Sequence, residues 1–206
     1  IRHSATWDAS PDVPNARCEP PRHLYQQENF RQGFAHLARH NLSFEGWCYD
    51  TQIGELGELA QAFPDTTIIL DHFGGPFGIG PYAGKRDENF AKWQQDITDL
   101  ARCGNVVAKL GGINMELNGF AWHEQDRPPT SEELMQATRP YYDHTIEQFG
   151  ADRCMFESNF PVDMVSCSYN ILWNSFKRLT ADFSADEKAK LFHDTATRIY
   201  RLDTPA

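Results

Sequence analysis

Residues 66–76 read T-T-I-I-L-D-H-F-G-G-P. The first five are β-branched or aliphatic and show no polar alternation, which predicts a strand buried on both faces, as in a parallel sheet. The run closes on Asp71 and His72, and Gly74-Gly75-Pro76 then turn the chain sharply. A buried strand with its polar residues gathered at the C-terminal end is the repeating unit of an α/β protein.

Working outward, helix and strand patterns alternate. Residues 28–40 carry Phe30, Phe34, Leu37 and Ala38 at helical spacing, and 42–49 read as a strand. Residues 53–62 form a short helix pattern. After the 66–71 strand come a helix over 90–103 with Asn89 as its cap, and a strand over 105–110 (N-V-V-A-K-L). Residues 131–149 are a long helix opened by a Thr130/Glu133 capping box, which Pro140 is expected to kink or split. A strand over 153–157 (R-C-M-F-E) and two helices, 165–179 and 184–200, close the pattern; Ile1-Arg2-His3 reads as the tail of a first strand. The segments that follow strands are long and polar (4–27, 73–88 and 111–129), whereas those returning from helix to strand are short (41, 64–65, 104 and 150–152). That asymmetry predicts a (β/α)₈-type barrel whose active site lies at the C-terminal strand ends. No GxGxxG or GxxxxGK[ST] follows a strand, so a nucleotide-binding doubly wound sheet has little support.

The chain has 206 residues, 40% hydrophobic and 23% charged, which fits one soluble globular domain over 1–206. A formal net charge of −10 argues against nucleic acid and anionic membrane as partners and leaves a small molecule as the expected ligand. No apolar run approaches the ~20 residues of a membrane span, and a cytoplasmic location is expected. The five cysteines (18, 48, 103, 154 and 167) are scattered with no CxxC pair, so neither a disulfide framework nor a thiolate zinc site is expected.

Polar residues at predicted strand ends are the functional candidates. They are Arg2 and His3; Tyr49, Asp50 and Gln52; Asp71 and His72; Lys109; and Glu157, Asn159 and Asp163. His72 suits a metal ion or a substrate carbonyl. Lys109, a cation inside an apolar strand, needs an anion or solvent at its tip and would hold a substrate carboxylate. Glu157 reads as a general base and Asn159 as a group that orients water or a substrate oxygen. Arg2 offers a carboxylate fork, and Gln52 a further substrate contact. His36 and His40 are spaced i, i+4 on one helix, but no third metal ligand presents itself.

Taken in order, I-R-H (1–3), W-C-Y-D-T-Q (47–52), I-L-D-H-F-G-G-P (69–76), N-V-V-A-K-L-G-G (105–112), F-G-A-D-R-C-M-F-E-S-N-F-P-V (149–162) and L-F-H-D-T-A-T-R-I-Y-R-L (191–202) resemble the amidohydrolase-related family, on the branch of fuconolactonase and 2-pyrone-4,6-dicarboxylate lactonase. The resemblance implies a distorted (β/α)₈ barrel that hydrolyses lactones or related esters and amides, with some relatives decarboxylating. It places Ile1 in about the fourth strand, so that strands four to eight are expected here and the family's opening HxH motif is absent. By the same resemblance His72 matches the histidine that meets metal or carbonyl, and Lys109 the lysine of a KLSG-like segment. Asn159 matches the aspartate of a GSDWP segment, a metal ligand or general base. Here that aspartate is an amide and the family glycine is Glu157, so either Glu157 has become the base or the activity differs. The resulting expectation is a hydrolase for a small carboxylated lactone or related cyclic ester, attacked by water at a polarised carbonyl. A metal-dependent decarboxylase and an inactive partial barrel are the alternatives. A divalent ion such as zinc, with His72 as one ligand and the others in the N-terminal segment expected to be missing, and metal-free chemistry stand equally open. A partial barrel would also expose strand edges and favour homo-oligomers.

Overall fold

A computed structural model describes residues 1–202. Five strands, β1 (Arg2–Ser4), β2 (Phe44–Trp47), β3 (Ile68–Leu70), β4 (Val106–Leu110) and β5 (Cys154–Phe156), form one sheet in the order β1-β2-β3-β4-β5. Every pairing is parallel. A doubly wound sheet reverses its strand order at a switch point. Consecutive order without reversal, joined by right-handed crossovers, puts the crossover helices on one face and curves the sheet as a barrel wall does. β1 and β5 are its two edges, so eight strands are not found among the described residues.

The helices are α1 (Glu28–Phe34), α2 (Ile53–Ala62), α3 (Arg86–Ala101), α4 (Ser131–Phe149), α5 (Tyr169–Leu179), α6 (Ala185–Ala189) and α7 (Thr195–Tyr200), with a π turn over Lys190–Asp194 joining the last two. Leu56, Leu59, Trp93, Ile97, Tyr142 and Phe176 from this layer pack on Phe44, Ile68, Leu70, Val106, Ala108, Cys154 and Phe156 of the strands in one continuous core. At the N-terminal ends of the strands the short connections are held by side chains bonded to backbone carbonyls. Asn105 Nδ2 reaches Ala60, Phe63 and Thr66 at 3.0–3.1 Å. Arg153 reaches Ala101, Cys103, Val106 and Phe149.

Most boundaries follow the sequence pattern, and the departures have local causes. The Thr130/Glu133 and Ser184/Glu187 capping boxes form. Asn89 does not cap α3. The helix begins three residues earlier, and Asn89 Nδ2 instead donates to the Tyr82 carbonyl at 2.9 Å. Pro140 neither splits nor ends α4. It lies on the exposed side of the helix with Gln136, the residue whose carbonyl loses its helix bond. The helix expected over 165–179 begins at Tyr169 behind a Ser168 cap, and 162–165 is a separate 3₁₀ turn. All five cysteines are free, and four of them are buried. No helix among the described residues is long and apolar enough to cross a membrane.

The face of the sheet opposite the helix layer carries the chemistry. Register aligns Arg2 with Glu45, Glu45 with Ile69, and Ile69 with Val107, while Lys109 aligns with Met155. Strand alternation then brings Trp47, Asp71 and Glu157 to the same face. Ile69, Val107 and Met155 are covered there by Ala196, Ile199 and Tyr200 of α7, which floors the face with an apolar layer. Arg2, Glu45, Asp71, Lys109 and Glu157 stand above that floor.

Candidate active site

His72 and Glu157, just beyond the C-terminal ends of β3 and β5, meet Arg2, the first residue of β1. His72 follows β3 and is buried; its Nδ1 lies 2.5 Å from Glu157 Oε1, beyond β5. Its Nε2 lies 3.0 Å from Arg2 NH2 on β1. A guanidinium can only donate, so Nε2 must accept and the ring proton sits on Nδ1, donated to Glu157. The imidazole is therefore neutral, with one fixed tautomer and its lone pair turned to Arg2. Trp47 meets the ring edge-on at 4.8 Å.

Behind this dyad lies a buried charge network. Lys109 Nζ donates to Glu45 Oε2 at 3.0 Å and sits 3.3 Å from Asp71 Oδ1 and 3.7 Å from Glu157 Oε2. Burial alone would lower the Lys109 pKa, but Asp71 and Glu157 more than offset it and hold the ammonium above its ordinary range. Asp71 is wholly buried, and burial raises its pKa against the pull of Lys109, His72 and Arg2. Arg2 Nε lies 3.2 Å from Asp71 Oδ2, and the Arg2 side chain is 52% exposed. For Glu157 burial works upward, but the His72 hydrogen bond and the nearby charges win and lower its pKa. Tyr200 Oη donates to Glu45 Oε1 at 2.6 Å, and Lys109 Nζ stands 5.6 Å from the Tyr200 ring centroid, tying α7 to the network.

Local backbone geometry serves the dyad. His72 and Phe73 both adopt left-handed φ (54° and 57°), followed by Gly74 and Gly75 at 66° and 46°. Each left-handed non-glycine residue costs about 1–3 kcal/mol, and such outliers gather where a side chain must be aimed. The β4 loop gives way to make room. A Cβ on Gly112 (φ 78°) would lie 2.5 Å from His72 Nδ1, and one on Gly111 would collide with the Glu157 backbone. Gly112→Ala therefore displaces the His72 ring from Glu157. It should cost roughly 1–3 kcal/mol of stability and remove the downfield Nδ1–H proton resonance expected of the unsubstituted protein. A variant that keeps both the resonance and its melting temperature would show that the loop yields instead.

The remaining candidates make no hydrogen bond to the dyad. Asn159 is left-handed at φ 51° and donates through Nδ2 to Asp163 Oδ1 at 2.7 Å. Asp163 is fully buried and also receives Asn114 Nδ2 at 3.3 Å. Gln52 does not join the group. Its amide donates to the Ala5 carbonyl at 2.7 Å and accepts from the Trp7 and Tyr49 amides, so it ties the β1 and β2 loops together. Lys109 is surrounded by protein carboxylates, which opposes its expected hold on a substrate carboxylate. Glu157 faces His72 and Lys109 rather than standing open to water. Sequence reasoning missed Glu45 and Tyr200. A glutamate inside F-E-G-W was the available signal, since a charge in a half-buried strand requires a partner.

The donors among the described residues do not by themselves suit a metal ion. Among the described residues no group of three or more His, Cys, Asp or Glu side chains converges to hold one. The lone pair of His72 faces a guanidinium, and two cations already occupy the three carboxylates.

Comparisons with known proteins agree with the fold. A family model described as Amidohydrolase matches residues 15–202, and the chain belongs to that family. A Sinorhizobium fredii protein, y4mH, is 41% identical over 173 residues, covering 84% of this chain and 52% of its own length. An L-fucono-1,5-lactonase of Burkholderia multivorans is 26% identical over 179 residues, covering 86% of this chain and 57% of that protein. The chain thus spans about half the length of the curated relatives it matches. Two crystal structures of an amidohydrolase from Burkholderia multivorans, one with bound hepes and one with bound zinc, superpose with TM-scores of 0.77 and 0.76 at 23% and 24% identity. They share 88% of this chain and 61% and 60% of theirs.

Proposed function

We propose that the chain carries the water-activating part of a lactone-hydrolysing centre, with His72 as the base, Glu157 as its orienting carboxylate and Arg2 as the electrophile. The observation that carries this reading is the fixed tautomer of His72, held between Glu157 and Arg2. A neutral imidazole whose Nε2 only accepts cannot donate to a carbonyl, so polarising the carbonyl passes to Arg2. That residue is half exposed and able to turn towards a ligand. Once Arg2 has turned to the ligand, water takes its place at Nε2 and loses its proton to the ring as its oxygen attacks the lactone carbonyl. Glu157 stabilises the imidazolium that forms, and Arg2 the oxyanion. Collapse of the tetrahedral intermediate breaks the ring C–O bond, and the departing alkoxide recovers the proton from His72, leaving a hydroxy acid.

The network also bears on the substrate. Glu45, Asp71 and Glu157 contribute three negative charges, and Arg2 and Lys109 two positive ones, so the cluster carries −1 with His72 neutral. A second anion is disfavoured there, and a neutral polyhydroxy lactone replaces the carboxylated lactone expected from sequence. The name of the 26%-identical relative, L-fucono-1,5-lactonase, supports the same chemistry. A pH-stat assay of the purified protein against neutral aldonolactones and a dicarboxylated pyrone tests both points. Turnover of a neutral lactone well above its spontaneous hydrolysis, with kcat/KM at least about tenfold above the charged one, is expected. Hydrolysis of none, or preference for the dicarboxylate, overturns the reading.

A further inference from the structure

Beyond the dyad, the loops after β4 and β5 hold a second buried group that the mechanism above does not use. Asp163 lies one turn after Asn159 and has no exposed surface. Its Oδ1 receives Asn159 Nδ2 at 2.7 Å and its Oδ2 receives Asn114 Nδ2 at 3.3 Å. Asn114 is itself buried and anchored, its carbonyl accepting from Ser166 Oγ at 2.5 Å. Asp163 also accepts at its own carbonyl from the Ser166 and Cys167 amides, and its amide donates to the Asn159 carbonyl at 3.2 Å. The carboxylate therefore sits in a rigid frame, and both of its side-chain partners are amide NH₂ groups.

That arrangement decides the polarity of Asn159. An ionised carboxylate only accepts, so the Asn159 amide must turn its NH₂ inward. Its Oδ1 receives no hydrogen bond among the described residues and is not among the buried polar atoms left without a partner. Asn159 is partly exposed, and its left-handed backbone holds the side chain in this direction. Burial pushes Asp163 up to about 6, while the hydrogen bonds from Asn159 and Asn114 pull against it, so the group is ionised at pH 8.

We propose that Asp163 is a positioning residue that fixes Asn159 as a hydrogen-bond acceptor at the strand mouth, where its Oδ1 receives an O–H from the attacking water or from a lactone hydroxyl. This rests on the lactonase reading for its substrate but not for its geometry. An unfixed amide presents NH₂ or oxygen indifferently and rejects no ligand, whereas a fixed acceptor favours O–H donors over groups that only accept. The family resemblance places a carboxylate at position 159; here the charge sits at 163 and acts through the amide.

The test has an arm that needs no activity. In ¹⁵N-labelled protein at pH 8 the Asn159 NH₂ pair, assigned by its loss in Asn159→Asp, is expected downfield of free side-chain amides, and Asp163→Asn should return it to the free position. An Asn159 pair already at the free position in the unsubstituted protein overturns the proposal, whatever the lactonase assay shows. In the kinetic arm, folded Asp163→Asn is expected to lose about tenfold or more in kcat/KM. The exchanged pair Asn159→Asp/Asp163→Asn rebuilds the bond with its polarity kept at 159, the new amide donating to the new carboxylate, and should recover most of that loss. Recovery of the melting temperature without recovery of kcat/KM in the exchanged pair reduces Asp163 to a structural role and overturns the proposal. So does a folded Asp163→Asn variant within twofold of the parent. If Asp163→Asn does not fold, the exchanged pair alone decides by the same criterion. A lactone lacking the ring hydroxyl next to the carbonyl separates the two donors. Equal losses on both substrates identify water, and a loss confined to the hydroxylated one identifies the substrate hydroxyl.

Discussion

Glu157→Gln should lower kcat/KM for a neutral lactone by ~10²–10⁴-fold while leaving the fold intact. Glutamine is nearly isosteric, and its amide oxygen still accepts the Nδ1 proton of His72, now 2.5 Å from Glu157 Oε1. What disappears is the negative charge facing the imidazolium that forms as water is deprotonated, so the loss falls on kcat rather than on KM. Stability should show the converse pH dependence. Glu157 is held below its usual pKa in the folded protein by His72 and Lys109. Its contribution is therefore present above the unfolded carboxylate pKa and is lost as pH falls through the lower folded value. The melting temperatures of parent and variant should thus differ most near pH 7 and draw together towards pH 3. Steady-state kinetics beside a thermal melt at several pH values checks both. Turnover within threefold of the parent in a folded variant would remove the dyad from the mechanism.

Much of this site could be read from the chain because barrel-like topology turns sequence order into spatial order. The T-T-I-I-L-D-H run, the lysine in V-V-A-K-L and the glutamate closing R-C-M-F-E each end a parallel strand, and parallel strands in consecutive order place those ends side by side. Gln52 misled because a polar residue at a strand end is as useful for joining loops as for binding a ligand, and only contacts distinguish the two. The roles of His72 and Glu157 were beyond sequence reading for a different reason. Which of two adjacent groups is the base depends on a tautomer, and the tautomer depends on a 3.0 Å contact with Arg2, seventy residues away. The register that brings Glu45 beneath Lys109, and the packing of α7 that carries Tyr200 to Glu45, are likewise tertiary facts. The asparagine at the head of α3 shows the same limit locally, since Asn89 found a loop carbonyl where a cap was expected.

Lys109→Met should be the most destabilising of these substitutions. Its side chain is 12% exposed and its ammonium lies within 4 Å of three carboxylates, one of them wholly buried. Methionine fills a similar volume, so packing against the Tyr200 ring and the apolar floor is largely retained. The cost is electrostatic. Glu45, Asp71 and Glu157 lose their shared counter-ion, and Arg2, bonded to Asp71 and His72, neutralises only one of them. Removing one partner of a buried ion pair costs about 3–5 kcal/mol, which for a chain of this size corresponds to roughly 6–20 °C in melting temperature. Were Lys109 instead a substrate contact, the same change would raise KM and leave the melting temperature near that of the parent. The pH dependence separates the two further. Both Glu45 and Glu157 are held below their usual pKa in the folded protein, with Lys109 among the causes. The stability they contribute is present above the unfolded carboxylate pKa and fades as pH falls through the folded values. The gap between parent and variant should therefore narrow on acidification, as the unpaired carboxylates take up protons. A gap that stays constant from pH 8 to pH 4 would place the loss in packing and refute the shared-cation account of the network.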